Sequence, residues 1–306
     1  MDIPKEVAVE LIDLLRLEYS STAFSLLPQQ AVFSILAGQH ASKLRGRGLD
    51  FAEVRQYVAG DDIRTIDWKV TARTKTAHTK VFHEEKERPA LVVLDQSSSM
   101  FFASEGSMKS VVAAQIAAIA GFKVLKAGDR IGGLVFDDEQ FESIKPKRNR
   151  QALLHFLEVV VRKNQQLINN THASPPSGFI NQALFKANNM ITHDHVVLVI
   201  SDLKHLDEKG QEYLIKMARH NDVIVALIYD PMEFALPELK IPFVDRFRMQ
   251  IVAEDSESIR QKFNRSTQQQ RTNQLEFLSK HGIPVMEFNT ARSIDEQVKE
   301  IFGKRY

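Results

Sequence analysis

Apolar residues follow two rhythms along this chain. In the first, they occupy successive positions in short runs. Ala90-Leu91-Val92-Val93-Leu94 ends in Asp95, and residues 195–201 end in Ser201 with Asp202 next. Unbroken apolar runs of this length predict strands covered on both faces, as in a parallel sheet. Residues 130–136 and 223–229 read the same way, 284–288 reads as a last strand, and 140–145 as a further one. In the second rhythm the apolar spacing is three and four, which predicts helices over 107–126, 151–162, 179–191, 208–220, 257–281 and 293–302. The first of these helices is apolar on nearly all sides and should be buried, whereas 257–281 is polar. Strands alternating with helices predict an α/β fold: a mostly parallel sheet with helices on both faces.

The amino-terminal part has another texture. Residues 7–17 show helical spacing, Ser20-Ser21-Thr22 resembles a cap, and residues 31–36 form a second short apolar run. Ser42-Lys43-Leu44-Arg45-Gly46-Arg47-Gly48-Leu49 is a basic loop without an acid. Residues 50–88 are charged and turn-rich, with an alternation over 77–85 that suits an exposed strand. The change of character divides the chain into an extension, 1–88, and an α/β domain, 89–306.

Length and composition narrow the function classes. A chain of 306 residues suits one core domain of roughly 200 residues with an appendage. With 43% apolar and 26% charged residues it is globular rather than disordered. Forty Lys+Arg against 39 Asp+Glu leave a net charge of +1, so no global field draws nucleic acid or an anionic membrane. The basic tracts 43–47 and 145–150 lack interleaved aromatics, so no nucleic-acid partner is expected. The absence of Cys removes disulfides, thiolate metal sites and Cys nucleophiles together. The longest nearly unbroken apolar run, 111–122, is about 12 residues and contains Gln115, short of the roughly 20 that span a bilayer. Met1-Asp2-Ile3-Pro4-Lys5-Glu6 carries no secretory pattern, so membrane insertion is not expected and a cytoplasmic location is. Neither a phosphate-binding G-x-x-x-x-G-K-[ST] or G-x-G-x-x-G motif nor a G-x-S-x-G nucleophile elbow is present.

The candidate chemistry sits at Asp95-Gln96-Ser97-Ser98-Ser99, directly after the first apolar strand. In open α/β sheets ligands bind where loops leave the carboxyl ends of strands, and Asp95 and Asp202 each close such a strand. One carboxylate with hydroxyls at alternate positions, Ser97 and Ser99, offers hard oxygen ligands suited to Mg²⁺ or Mn²⁺. Such an ion, held by few charges, would accept a carboxylate from another molecule. A serine-rich turn capping the next helix would read the same way.

Asp95 to Met100, behind Leu91-Val92-Val93-Leu94, resembles the metal-ion-dependent adhesion site of von Willebrand factor A domains. Residues 48–68, closing on Gly60-Asp61-Asp62-Ile63-Arg64-Thr65-Ile66-Asp67-Trp68, and Thr71-Ala72-Arg73 after them, resemble the signature of domain-of-unknown-function family 58. The resemblance runs from about residue 48 through Asp202. It implies a von Willebrand factor A-like domain and a MoxR-type AAA+ ATPase as partner, with client proteins offering an exposed carboxylate. It also implies Asp95, Ser97, Ser99 and Asp202 as ligands of Mg²⁺ or Mn²⁺. The family's Thr ligand falls on Gly178, beside Ser177; Ser177 or Thr171 would replace it, or the position is empty.

The function implied is a non-enzymatic, ion-dependent protein-binding module acting with that ATPase in protein assembly or remodelling. The alternatives are a metal-dependent hydrolase using Asp95, Asp202, Asp61 and Asp62, and a scaffold with a vestigial site. Asp61, Asp62, Arg64, Asp67 and Arg73 form either a paired charge network or a docking face. His193-Asp194-His195 forms either a metal pair or a surface turn at the start of its strand, and His78 and His83 alternate along the exposed one.

Overall fold

The computed structural model describes residues 3–23, 49–84, 88–169, 178–234, 243–244, 251–252 and 257–303. The expected runs 31–36 and 42–48 lie outside them, as do Thr171 and Ser177. The chain forms two units, one of residues 1–37 with 88–306 and one of residues 38–87. These units meet at 37/38 and 87/88, whereas the expected division was a single one at 88/89. The helix Leu11–Ala23 belongs with the α/β unit because Leu14 and Leu17, with Val9 just before it, are buried in that unit's core. Ser20, Ser21 and Thr22 continue this helix instead of capping a new one.

In the smaller unit, strand β1 (Leu49–Gln56) pairs antiparallel with β2 (His78–Glu84). The alternation over 77–85 announced β2. Its partner β1 was not expected, because a register shift between Phe51 and Glu53 breaks the period of two. Between the strands, Asp62 caps the turn Ile63–Thr65 and Asp67 caps the helix Trp68–Thr74, whose amides at Lys69 and Val70 it accepts. The helix stops at Lys75, which takes a left-handed conformation with φ 60°.

The larger unit holds a six-stranded sheet. Its strands are β3 (Ala90–Asp95), β4 (Ile131–Phe136), β5 (Phe141–Lys147), β6 (Val196–Ser201), β7 (Asp222–Tyr229) and β10 (Val285–Asn289); β8 (Phe243–Val244) and β9 (Ile251–Val252) form a separate small ladder. The order across the sheet is β10-β7-β6-β3-β4-β5, with β5 antiparallel and every other pairing parallel. Every residue of β3, β4 and β6 is buried, as their continuous apolar runs demand. Strand β5, at the edge, is only partly buried and carries Pro146, which an edge tolerates.

Side chains alternate between two cores. Val92 and Leu94 face the helices Lys109–Lys126 and Arg150–Asn169, with Leu11–Ala23 and Ile294–Gly303 on the same side. Leu91 and Val93 face the helices Phe179–Met190, Glu208–Ala218 and Glu257–Lys280. In β4, a Cβ at Gly133 would lie 2.3 Å from the Phe156 ring, so glycine is what lets the helix Arg150–Asn169 approach the sheet. The chain leaves β3 toward β4 and β5 on one side and returns to β6 on the other. The loops after β3 and β6 therefore diverge at a topological switch point, the crevice where such sheets bind ligands.

Candidate functional site

Asp95 is the last residue of β3, and its carboxylate is held from both sides of the switch point. Oδ1 accepts the Ser97 amide at 2.9 Å, and Oδ2 accepts the hydroxyl of Ser201, the last residue of β6, at 2.6 Å. Ser97 and Ser99 flank a short turn over Ser98–Met100, and their Oγ atoms lie 3.1 Å apart. From the loop after β4, Asp138 accepts the Ser98 amide at 2.9 Å and steadies that turn. Gln96 is fully buried and ties the loop to the core: its Nε2 donates to the Ser110 carbonyl, and its Oε1 accepts from Asn164.

Asp202 follows β6. Its Oδ1 accepts the Lys204 amide at 3.0 Å and its Oδ2 accepts Lys109 Nζ at 2.8 Å. Asp95, Ser97, Ser99 and Asp202 line one cleft of about 20 Å³, together with Asp138 and Gly178. A space of that size admits one or two water-sized species. Gly178, at φ 103°, precedes the helix Phe179–Met190. Among the described residues, a Cβ there would meet Asn181 Nδ2 at 3.8 Å.

The other sequence candidates fall elsewhere. His195 and His193 lie at the start of β6, the end of the strand opposite Asp202, with the His193 ring edge-on to His220 at 5.3 Å. In the smaller unit, Asp61 is gripped by both guanidinium nitrogens of Arg55, and Asp62 caps a turn. Asp67 caps the helix and lies 3.6 Å from Lys80 Nζ. The ion pairs of this cluster run from Asp61 to Arg55 and from Asp67 to Lys80, cations on the flanking strands instead of Arg64 and Arg73. Among the described residues no group of three or more His, Asp or Glu side chains could hold a metal ion.

Lys109 is a functional candidate that sequence reasoning missed. Its side chain is completely buried, and Nζ bridges Asp202 at 2.8 Å and Glu233 at 2.6 Å. A lysine in the first turn of a mostly apolar, buried helix was the available signal, because a buried cation demands a carboxylate. Nothing in the sequence indicated which one. The two acids at the site are shifted in opposite directions. Burial pushes Asp95 up to about 7 and the Asp202 charge adds to this, while hydrogen bonds from Ser201 and Ser97 oppose it. Burial also works against Asp202, but the charges of Lys109 and then Lys204 outweigh it and hold the group down at about 2. For Lys109, burial favours the neutral amine, and Asp202 and Glu233 overcome it, leaving the ammonium strengthened.

The donor set fits a hard divalent ion. Adjacent ligands of an octahedral ion with bonds of ~2.1 Å are separated by roughly 3.0 Å. The Ser97 and Ser99 oxygens, 3.1 Å apart, match that edge. Each Asp95 oxygen accepts one hydrogen bond from the site and keeps a lone pair for a ligand bond.

A central β3–β6 switch point carrying Asp95-x-Ser97-x-Ser99 and a late Asp202 defines a von Willebrand factor A-like α/β domain. The family model described as "Protein of unknown function DUF58" matches residues 53–273, and the chain belongs to that family. The uncharacterized protein Mb1516 of Mycobacterium bovis and Rv1480 of Mycobacterium tuberculosis are each 24% identical over 283 residues, 92% of this chain and 87% of theirs. Among solved structures, BatB from Bacteroides thetaiotaomicron is similar at 13% identity and a TM-score of 0.38, covering 71% of this chain and 100% of that one. The SpRpn10 VWA domain is similar at 9% identity and a TM-score of 0.37, covering 72% and 100% respectively. Among the described residues no helix is long and apolar enough to cross a membrane.

Proposed function

We propose that this protein is a non-enzymatic protein-binding module whose switch-point cleft holds Mg²⁺ or Mn²⁺ and presents it to a carboxylate on a partner. The observation that carries the reading is the convergence of Asp95, Ser97, Ser99 and Asp202 on a cleft of about 20 Å³. Asp95, Ser97 and Ser99 would bind the ion directly. Asp202, already paired with Lys109, is suited to hold the ion's waters. The ion would supply a Lewis-acidic position for an incoming carboxylate oxygen. The partner expected from the family resemblance is a MoxR-type AAA+ ATPase, with client proteins that bear an exposed acid, in assembly or remodelling of other proteins.

The hydrolase reading has less support. Activating water with two metals needs several carboxylates around the ions, and hydroxyl-dominated ligation is poor for it. Asp61 and Asp62 are engaged within the smaller unit, and Lys109 already claims Asp202. Thermal melts with increasing Mg²⁺ or Mn²⁺ test the ion: wild type should rise in midpoint with concentration, and Asp95→Ala should not. An equal response in both would refute the site. A pull-down of the ATPase with and without EDTA, using wild type and a Ser97→Ala, Ser99→Ala variant, tests the partner. Binding indifferent to both treatments would place the interface elsewhere.

A further inference from the structure

A lysine with no exposed surface is costly to bury, and Lys109 is placed where its charge meets a candidate ion ligand. Its ammonium lies 2.8 Å from Asp202 and 2.6 Å from Glu233. Glu233 in turn closes a capping box: its Oε2 accepts the Asp230 amide at 3.1 Å, and Asp230 accepts the Met232 amide at 2.8 Å. Asp230 is fully buried and also receives the Ser104 amide and hydroxyl, both at 2.7 Å, and the Thr290 hydroxyl at 2.5 Å. A continuous chain of charged hydrogen bonds therefore runs from the cleft through Lys109 to the Pro231–Glu233 turn, the Ser104 loop and the end of β10.

We infer that Lys109 is an internal counter-cation that competes with the divalent ion for Asp202 and relays occupancy of the cleft to the Asp230–Glu233 turn. This rests on the ion-binding reading above. When the cleft holds no ion, Lys109 divides its charge between Asp202 and Glu233. When an ion draws on Asp202, Lys109 is left to Glu233 and tightens the turn. Two neighbouring carboxylates make this a lever instead of a simple brace, because weakening either contact strengthens the other. Removing the lysine should tighten the ion, and neutralising Glu233 should loosen it.

The test measures Mn²⁺ affinity by titration calorimetry and amide hydrogen exchange by mass spectrometry with and without Mg²⁺. It uses the full chain as wild type, Lys109→Met and Glu233→Gln. Glutamine at 233 keeps a side-chain acceptor for the Asp230 amide, so the turn retains its cap. Lys109→Met should tighten Mn²⁺ roughly tenfold and Glu233→Gln should weaken it roughly fivefold, the scale of one unit charge near the site. In wild type, Mg²⁺ should slow exchange in the peptides containing Ser104 and Met232, and in Lys109→Met it should not. A purely structural lysine would change the basal melting midpoint and leave both affinities alike. Wild-type binding with unchanged affinity in the variants overturns the role of Lys109 and spares the ion site. No Mn²⁺ binding to wild type overturns both. Where Lys109→Met does not fold, Glu233→Gln decides, and an affinity equal to wild type overturns the inference.

Discussion

At the carboxyl edge of the sheet, Asp95 takes a hydrogen bond from Ser201, 106 residues along the chain, and Asp202 meets Lys109 from 93 residues away. In the unit of residues 38–87, Asp61 is held by Arg55, six residues before it, and Asp67 by amides two and three residues on. The first set is buried and draws on separate elements of the fold. The second lies near water and draws on residues close in sequence: Arg55 at the end of β1, amides of the same turn, and Lys80 of β2. A carboxylate buried at a switch point depends on the whole sheet for its state of charge. One in a surface turn needs only its neighbours, and water replaces them when they are lost.

The largest effect that would sharpen this contrast is a pH dependence. Asp95 is raised by burial and by Asp202, so its contribution to stability is complete below about 4 and is lost as pH rises through about 7. In EDTA, wild type should lose stability across that window relative to Asp95→Asn. Because an ion needs the ionised carboxylate, the Mg²⁺-induced rise in midpoint should grow over the same range. Chemical denaturation of both proteins at several pH values checks the first expectation. Parallel curves would mean that Asp95 ionises as readily in the fold as in water.

A smaller loss is expected from Ser201→Ala. Ser201 is fully buried, donates to Asp95 and accepts the Leu203 amide at 3.0 Å, so the variant leaves a buried acceptor and a buried donor unpaired. The cost should be about 1–3 kcal/mol in a urea titration. The smallest effect is expected in the other unit. Asp61→Asn should leave the melting midpoint within error of wild type, because the Arg55 pair is solvent-exposed and screened. A clear loss there would show that these local pairs carry more of the fold than their exposure indicates.

The legibility of the chain followed the same division. The buried strands and the helices between them were readable because each obeys a period set by its own backbone geometry. The antiparallel edge β5 was readable only as a further strand. Strand β1 was not, because a bulge shifts its register and its partner is more than twenty residues away. Asp95, Ser97, Ser99 and Asp202 could be proposed from the pattern of strand followed by acid. Lys109 left one signal, its place in the first turn of a mostly apolar helix, but nothing local names Asp202 and Glu233 as the carboxylates it meets.

The sequence by itself therefore determined the α/β class, the family signature over residues 48–73 and the candidate oxygen ligands after the first apolar strand. These are encoded in runs of a few residues, where backbone geometry and side-chain type act together. The tertiary structure alone decided that β3 and β6 lie side by side, that Leu11–Ala23 joins the sheet's core, and that Lys109 is the cation placed against Asp202. Those outcomes rest on contacts between distant segments. Their free energy comes from excluding water between surfaces that are complementary only once the chain has folded.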